Sequence, residues 1–223
     1  FYILLDILFE ENHYARIVSK PIKNDLLNTQ GEDLEVVLPS VDCILGDKLT
    51  AFAPHTTGIP LGIGKELEII KQMYDVAALI DVFDDFEDVY NSYMAIVETE
   101  INYRGLDISA NEVLMDTIDT AACIAGRGQI GNEYPMYLAG IKSISTHIYD
   151  ERYSAEKAVQ SACKTMYLAA CILRKSYFEK VIDCNLYLDC NIGKSNYSKL
   201  SKLRKFNAEA FAYVVKTVEL LEK

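Results

Sequence analysis

From Val41 to Phe52 the apolar residues Val41, Ile44, Leu45, Leu49 and Phe52 fall at i, i+3, i+4, i+8 and i+11. That spacing is one face of a helix. The absent member of the series, i+7, is Lys48. A lysine inside a stripe that faces a core needs an anionic partner or a wet cleft, because an unpaired buried ammonium is costly. The plain alternative is that Lys48 runs along its own methylenes to the surface.

A second helix is predicted just downstream. Between Lys65 and Phe83 the apolar set is Leu67, Ile70, Met73, Tyr74, Ala77, Ile80 and Phe83. Glu68, Lys71, Gln72 and Asp75 follow i, i+3, i+4, i+7 and form one polar stripe. It reads either as a solvated face with a Lys71–Asp75 pair or as the source of an anion for Lys48. The loop between the helices, PHTTGIPLGIG from Pro54 to Gly64, carries two prolines and three glycines. It is long for a minimal connection and is a docking or functional loop by type. His55 lies in it, and a lone loop histidine is ordinarily a surface residue.

The remaining chain bounds the function. Its 223 residues are half hydrophobic and one quarter charged, enough for a full core. The net charge of −11 excludes a globally basic nucleic-acid binder. It leaves room for a local basic patch, and Lys199, Lys202, Arg204 and Lys205 are the candidates, with a solvated helix face as the plainer account. The six cysteines include no CxxC and no Cys/His cluster, which suits reduced thiols of a cytoplasmic protein. No apolar run reaches transmembrane length. The opening FYILLDILFEE has neither a basic leader nor a small-residue cleavage site. Residue 1 is Phe, inside a strand-like run, so an upstream segment is expected.

In chain order, Tyr2–Phe9 reads as a buried strand interrupted by Asp6, a setting in which a carboxylate is either a metal ligand or an edge residue facing water. Tyr14–Ile22 and Leu34–Leu38 are predicted strands. Ser40 is a good N-cap for the first helix, with Asp42 in its first turn. From Phe86 onward the pattern is helical. Glu87–Tyr103 ends at Gly105. Ser109 and Glu112 form a capping box ahead of Ala110–Ala125. Tyr134–His147, Ser154–Val181 and Lys199–Leu221 follow, with a turn-rich connector over Cys184–Asn196. The GxGxxG spacing from Gly126 to Gly131 follows a helix rather than a strand, so a dinucleotide reading fails on context. The expected fold class is α+β, with a β-rich part over residues 1–40, motif-bearing helices over 41–85 and a helical part over 86–223.

The run Ser40-Val41-Asp42-Cys43-Ile44-Leu45-Gly46-Asp47-Lys48-Leu49-Thr50-Ala51, followed by Lys71-Gln72-Met73-Tyr74-Asp75, resembles the nucleotidyltransferase toxins of the AbiEii/AbiGii family. That family shows an acidic helix start, then an acid, lysine and leucine, then a basic-Asp-x-x-Asp helix. The resemblance covers about Tyr2 to Ile80. It implies the DNA polymerase β-like nucleotidyltransferase fold, a mixed sheet followed by a mainly helical C-terminal bundle. Leu5-Asp6-Ile7 is similar to the strand that carries the third metal-binding carboxylate. Gln72 stands where the family has the first Asp of its last motif. The Gly-Ser motif and the Asp-x-Asp strand expected ahead of Asp6 are not in this sequence.

The implied activity is transfer of a nucleotide from an NTP to an acceptor, an RNA such as tRNA, in a toxin–antitoxin or abortive-infection system used in phage defence. A cognate antitoxin protein and Mg2+ are implied with it. Lys48 would neutralise the triphosphate, Lys71 would add charge near the phosphates, Asp75 would orient Lys48 or the acceptor, and Asp6 would complete the metal carboxylates. The alternative is a non-catalytic helical binding or scaffold module with a degenerate nucleotidyltransferase half.

Overall fold

Ser40 closes a short β-ribbon and opens the first helix. Its Oγ accepts from the Cys43 N–H at 3.2 Å, satisfying one of the donors that a helix start leaves free. The computed structural model describes residues 5, 7, 9, 11–23, 28, 30–148 and 152–223. The strand expected over Tyr2–Phe9, with Asp6, rests on residues outside this set.

The chain is α+β. Among the described residues the sheet is one antiparallel pair, β1 (Ile17–Pro21) and β2 (Glu35–Pro39), with Ile17 opposite Pro39 and Ser19 opposite Val37. A lone two-stranded ribbon is marginal in water. This one is pinned at its base: the Ser40 N–H donates to Arg16 O at 3.0 Å and the Ala15 N–H to Ser92 Oγ at 3.1 Å.

Among the described residues seven α-helices follow: α1 (Val41–Ala51), α2 (Glu66–Val82), α3 (Phe86–Arg104), α4 (Ala110–Gly126), α5 (Tyr134–Ile144), α6 (Ala155–Leu173) and α7 (Ala208–Leu221). One continuous core runs from Leu45, Leu49 and Phe52 through Met73, Tyr93, Ile118 and Tyr137 to Met166 and Phe211. In it α1 packs on α3, α2 on α1, α5 and α6, α4 on α6, and α6 on α7. The caps read from sequence are present. Gly105 ends α3 at φ 63°, a left-handed turn that a glycine takes without steric cost. Ser109 and Glu112 exchange both bonds of the capping box.

The burial of α1 is rotated from its apolar stripe. Val41 and Ile44 are half-buried, whereas Asp42, Leu45, Gly46 and Leu49 face inward. Gly46 is the reason. A Cβ there would lie 2.5 Å from Val89 O and 2.8 Å from Tyr93 N, so α1 and α3 meet backbone to backbone at this point. The rotation moves Lys48 to the margin of the buried face, toward α2.

Two helix limits differ from the sequence reading. The helix expected over Ser154–Val181 stops at Leu173. Lys175 turns left-handed at φ 52°, and the Ser176 N–H returns to Cys171 O at 2.9 Å. The reversal brings Phe178 back against Tyr167 and Phe83, with ring centroids 4.9 and 5.6 Å apart. Aromatic burial here outweighs continuing the helix into solvent. The helix expected over Lys199–Leu221 is split into a 3-10 segment, Ser198–Lys205, and α7. Asn207 caps α7 by accepting from the Ala210 N–H at 3.0 Å.

Candidate functional site

Lys48 and Asp75 come together. Lys48 lies in the last turn of α1, where a cation suits the negative end of the helix dipole. Asp75 lies at mid-length of α2. Lys48 Nζ is 3.1 Å from Asp75 Oδ2, with side chains 34% and 27% exposed. The ammonium thus neither runs free to the surface nor lies sealed in the core. Asp75 pairs with Lys48 across the helix interface and not with Lys71 one turn away. Lys71 is exposed. Gln72, on the same side of α2, has a buried Oε1 with no hydrogen-bond donor among the described residues. Beside Lys48, Asp47 accepts a 2.8 Å bond from the Tyr14 hydroxyl, which ties α1 to the chain leading into β1.

The opposite, N-terminal end of α1 carries a second ionic network. Asp42 is almost fully buried and accepts from Arg16 Nη2 at 2.6 Å and from the Asp84 and Asp85 N–H groups at 2.8 and 3.3 Å. Arg16 Nε reaches Asp88 at 2.8 Å. Asp42 thus joins β1, α1 and the α2–α3 turn, a structural duty that the dipole argument alone did not reveal.

His55 is no ordinary loop histidine. Its Nδ1 lies 2.7 Å from Asp116 Oδ1 and its Nε2 3.0 Å from Glu133 Oε1. Its backbone N–H and the Thr56 hydroxyl donate to Asp116 Oδ2 at 2.9 and 2.8 Å. Burial opposes a charge on His55, but the hydrogen bonds to Asp116 and Glu133 prevail and raise its pKa above the ordinary value. With both ring nitrogens engaged by carboxylates, the charged form of the imidazole is favoured. A group so held is a clamp rather than a proton acceptor.

A further charged group escaped the sequence reading. Lys164 sits inside the buried run of α6, its side chain 11% exposed, with Nζ 2.6 Å from Asp81 Oδ1 and 3.7 Å from Glu209 Oε1. It borders a cavity of about 340 Å3 shared with Tyr74, Asp81, Tyr153 and Lys157. Lys164 follows Cys163 in a run of small apolar residues. That placement is the same misplaced-lysine signal that singled out Lys48.

Of the expected site residues, the structure joins Lys48 to Asp75 and leaves Lys71 at the solvent edge. Asp6 lies outside the described residues. Among the described residues no group of three His, Cys, Asp or Glu side chains could hold a metal ion. Nor is any described helix long and apolar enough to cross a membrane. The chain matches no protein-family model, no curated protein and no solved structure.

Proposed function

We propose that this chain is an NTP-dependent nucleotidyltransferase of the toxin–antitoxin type, acting on an RNA acceptor and restrained by a cognate antitoxin protein. The observation that supports the reading is the Lys48–Asp75 contact. The two motif residues that the resemblance assigns to phosphate binding and positioning, 27 positions apart by number, meet at 3.1 Å in a partly open seam.

In nucleotidyl transfer an acceptor oxygen attacks the α-phosphorus, a new P–O bond forms and pyrophosphate departs. Charge builds on the phosphate oxygens and the leaving group. Lys48 supplies a compact positive charge against that build-up. Asp75 holds the ammonium aimed while the seam is empty, so that little side-chain freedom is lost when a triphosphate arrives. Lys71, one turn earlier on α2, adds a second cation at the solvent side. The described residues do not fit the Mg2+ that the resemblance implies.

The test is isothermal titration of the four NTPs, with Mg2+ present, into the wild-type chain and into Lys48→Gln. A charged hydrogen bond contributes about 1.5–3 kcal/mol, so the variant should bind roughly 10- to 150-fold more weakly. Equal affinities, or no binding by the wild type, would count for the non-catalytic binding module instead.

A further inference from the structure

The charges of this chain are unevenly distributed. Between Asp189 and Glu209 lie five cations (Lys194, Lys199, Lys202, Arg204 and Lys205) and no acid, in a chain with 33 acids and 22 cations. Arg204 turns inward: its guanidinium lies 4.9 Å from the Phe211 ring centroid and donates to Cys190 O at 3.1 Å. Lys199 and Lys202 do not turn inward. Both reach the same residue at the end of α4, Lys199 Nζ donating to Gln129 O at 2.7 Å and Lys202 Nζ to Gln129 Oε1 at 3.0 Å. These acceptors are neutral. The two ammonium groups are therefore held in place without being neutralised, the reverse of Lys48 and Lys164, each of which has a carboxylate.

A third cation completes the set. Arg127 caps α4 in the left-handed region at φ 47°, where glycine or asparagine is the ordinary choice. Its side chain lines a cavity of about 250 Å3 together with Lys199, Lys202, Phe206 and Asn207, and Glu156 is the one acid on that lining. Phe206 stands at this rim 82% exposed, an unusual position for a phenyl ring. The Asn207 cap also brings the positive end of α7 to the same rim.

We infer that this groove, between the end of α4 and the Ser198–Lys205 segment, binds single-stranded nucleic acid, with phosphates on Arg127, Lys199 and Lys202 and a base stacked on Phe206. Cations beside an exposed aromatic ring are the two parts that single-strand binding requires, since every base offers a π-face and every linkage a charge. The cavity is smaller than the roughly 300–1,000 Å3 of sites that engulf a whole small molecule, which favours one stretch of a longer chain. A duplex would hide its base faces from Phe206. The inference does not depend on nucleotide transfer at Lys48.

Fluorescence anisotropy with a labelled oligouridylate of about 12 nucleotides tests it, with the full chain and no NTP. Wild type should bind, with log K falling against log salt at a slope near −2, about −0.7 for each phosphate neutralised. Lys199→Gln/Lys202→Gln should weaken binding at least tenfold at ~50 mM salt and bring the slope to about −0.7. Lys199→Arg/Lys202→Arg should retain binding, and thermal melting of both variants reports whether the fold is kept. Phe206→Ala changes a largely exposed side chain and should weaken binding about fivefold or more without changing the slope. Lys48→Gln should bind the strand as wild type does, which separates this surface from the transfer site. The inference is overturned if wild type does not bind below ~100 µM, if the Gln and Ala variants bind equally well, or if polyglutamate of equal charge displaces the strand as efficiently as unlabelled oligouridylate.

Discussion

The His55 imidazole lies 2.7 Å from the Asp116 carboxylate, and the His55 backbone N–H reaches the same carboxylate at 2.9 Å. One side chain on α4 thereby grips both the ring and the main chain of the loop between α1 and α2.

That grip sets a pH dependence. The folded-state pKa of His55 is raised, with the Asp116 and Glu133 bonds outweighing burial. A raised pKa means that the folded state binds the proton more tightly than the unfolded chain does. The contribution to stability is fully present below the unfolded value near 6.5 and is lost as pH rises through the higher folded value. Urea midpoints taken from about pH 6 to 8.5 should fall over that interval in wild type. In His55→Asn the decline should be absent.

Removing the other partner should cost more. Asp116 receives four donors, from the His55 backbone and ring, Thr56 and Thr120. Asp116→Ala removes the acceptor these donors share, at a cost of about 1–3 kcal/mol. His55→Asn keeps Asp116 supplied by Thr56 and Thr120 and should cost less in the same urea titration.

Lys48 and Asp75 separate stability from binding. Because the pair is about a third exposed, Asp75→Asn should change the unfolding free energy by no more than about 1 kcal/mol. NTP affinity should still drop, because the ammonium is no longer held in one position. Parallel urea and calorimetric titrations of the same variant check both halves of the statement.

Gly46→Ala offers a test of the α1–α3 contact. Alanine raises helix propensity by about 1 kcal/mol, but its Cβ would meet Val89 O at 2.5 Å, and main-chain atoms cannot rotate away. The expected net result is a loss of about 1–3 kcal/mol, read from the shift in urea midpoint. A stabilised variant would show that the two helices are not in backbone contact.

Asp42→Ala should be more harmful than any surface acid of α1. It strips the acceptor from Arg16 and from the Asp84 and Asp85 N–H groups. A loss of about 2–4 kcal/mol follows from the unmet backbone donors alone, measurable as a lower thermal midpoint.

What the sequence made legible was local. Ser40, Gly105 and the Ser109–Glu112 box announce helix ends because their partners lie within four residues. Lys48 was legible because a charge at an apolar position requires a partner, and the nearest acid stripe was in the next helix. His55 was not, since its acceptors lie 61 and 78 residues away and no spacing rule links them. The end of α6 was hidden for the same reason: it is decided by Phe178 finding Tyr167 and Tyr213, a packing event that periodicity does not encode. The turn of α1 about its axis depends on what Gly46 approaches on α3, which a single stretch of sequence cannot specify.

The loop from Pro54 to Gly64 is tied through His55 to α4 and the start of α5. The spacer that sets the angle between the Lys48 helix and the Asp75 helix is therefore moored to the far half of the chain. An excised peptide spanning only those two helices would keep Lys48, Lys71 and Asp75 and lose their alignment. The later helices, which carry no recognisable motif, act as the jig in which the motif is assembled.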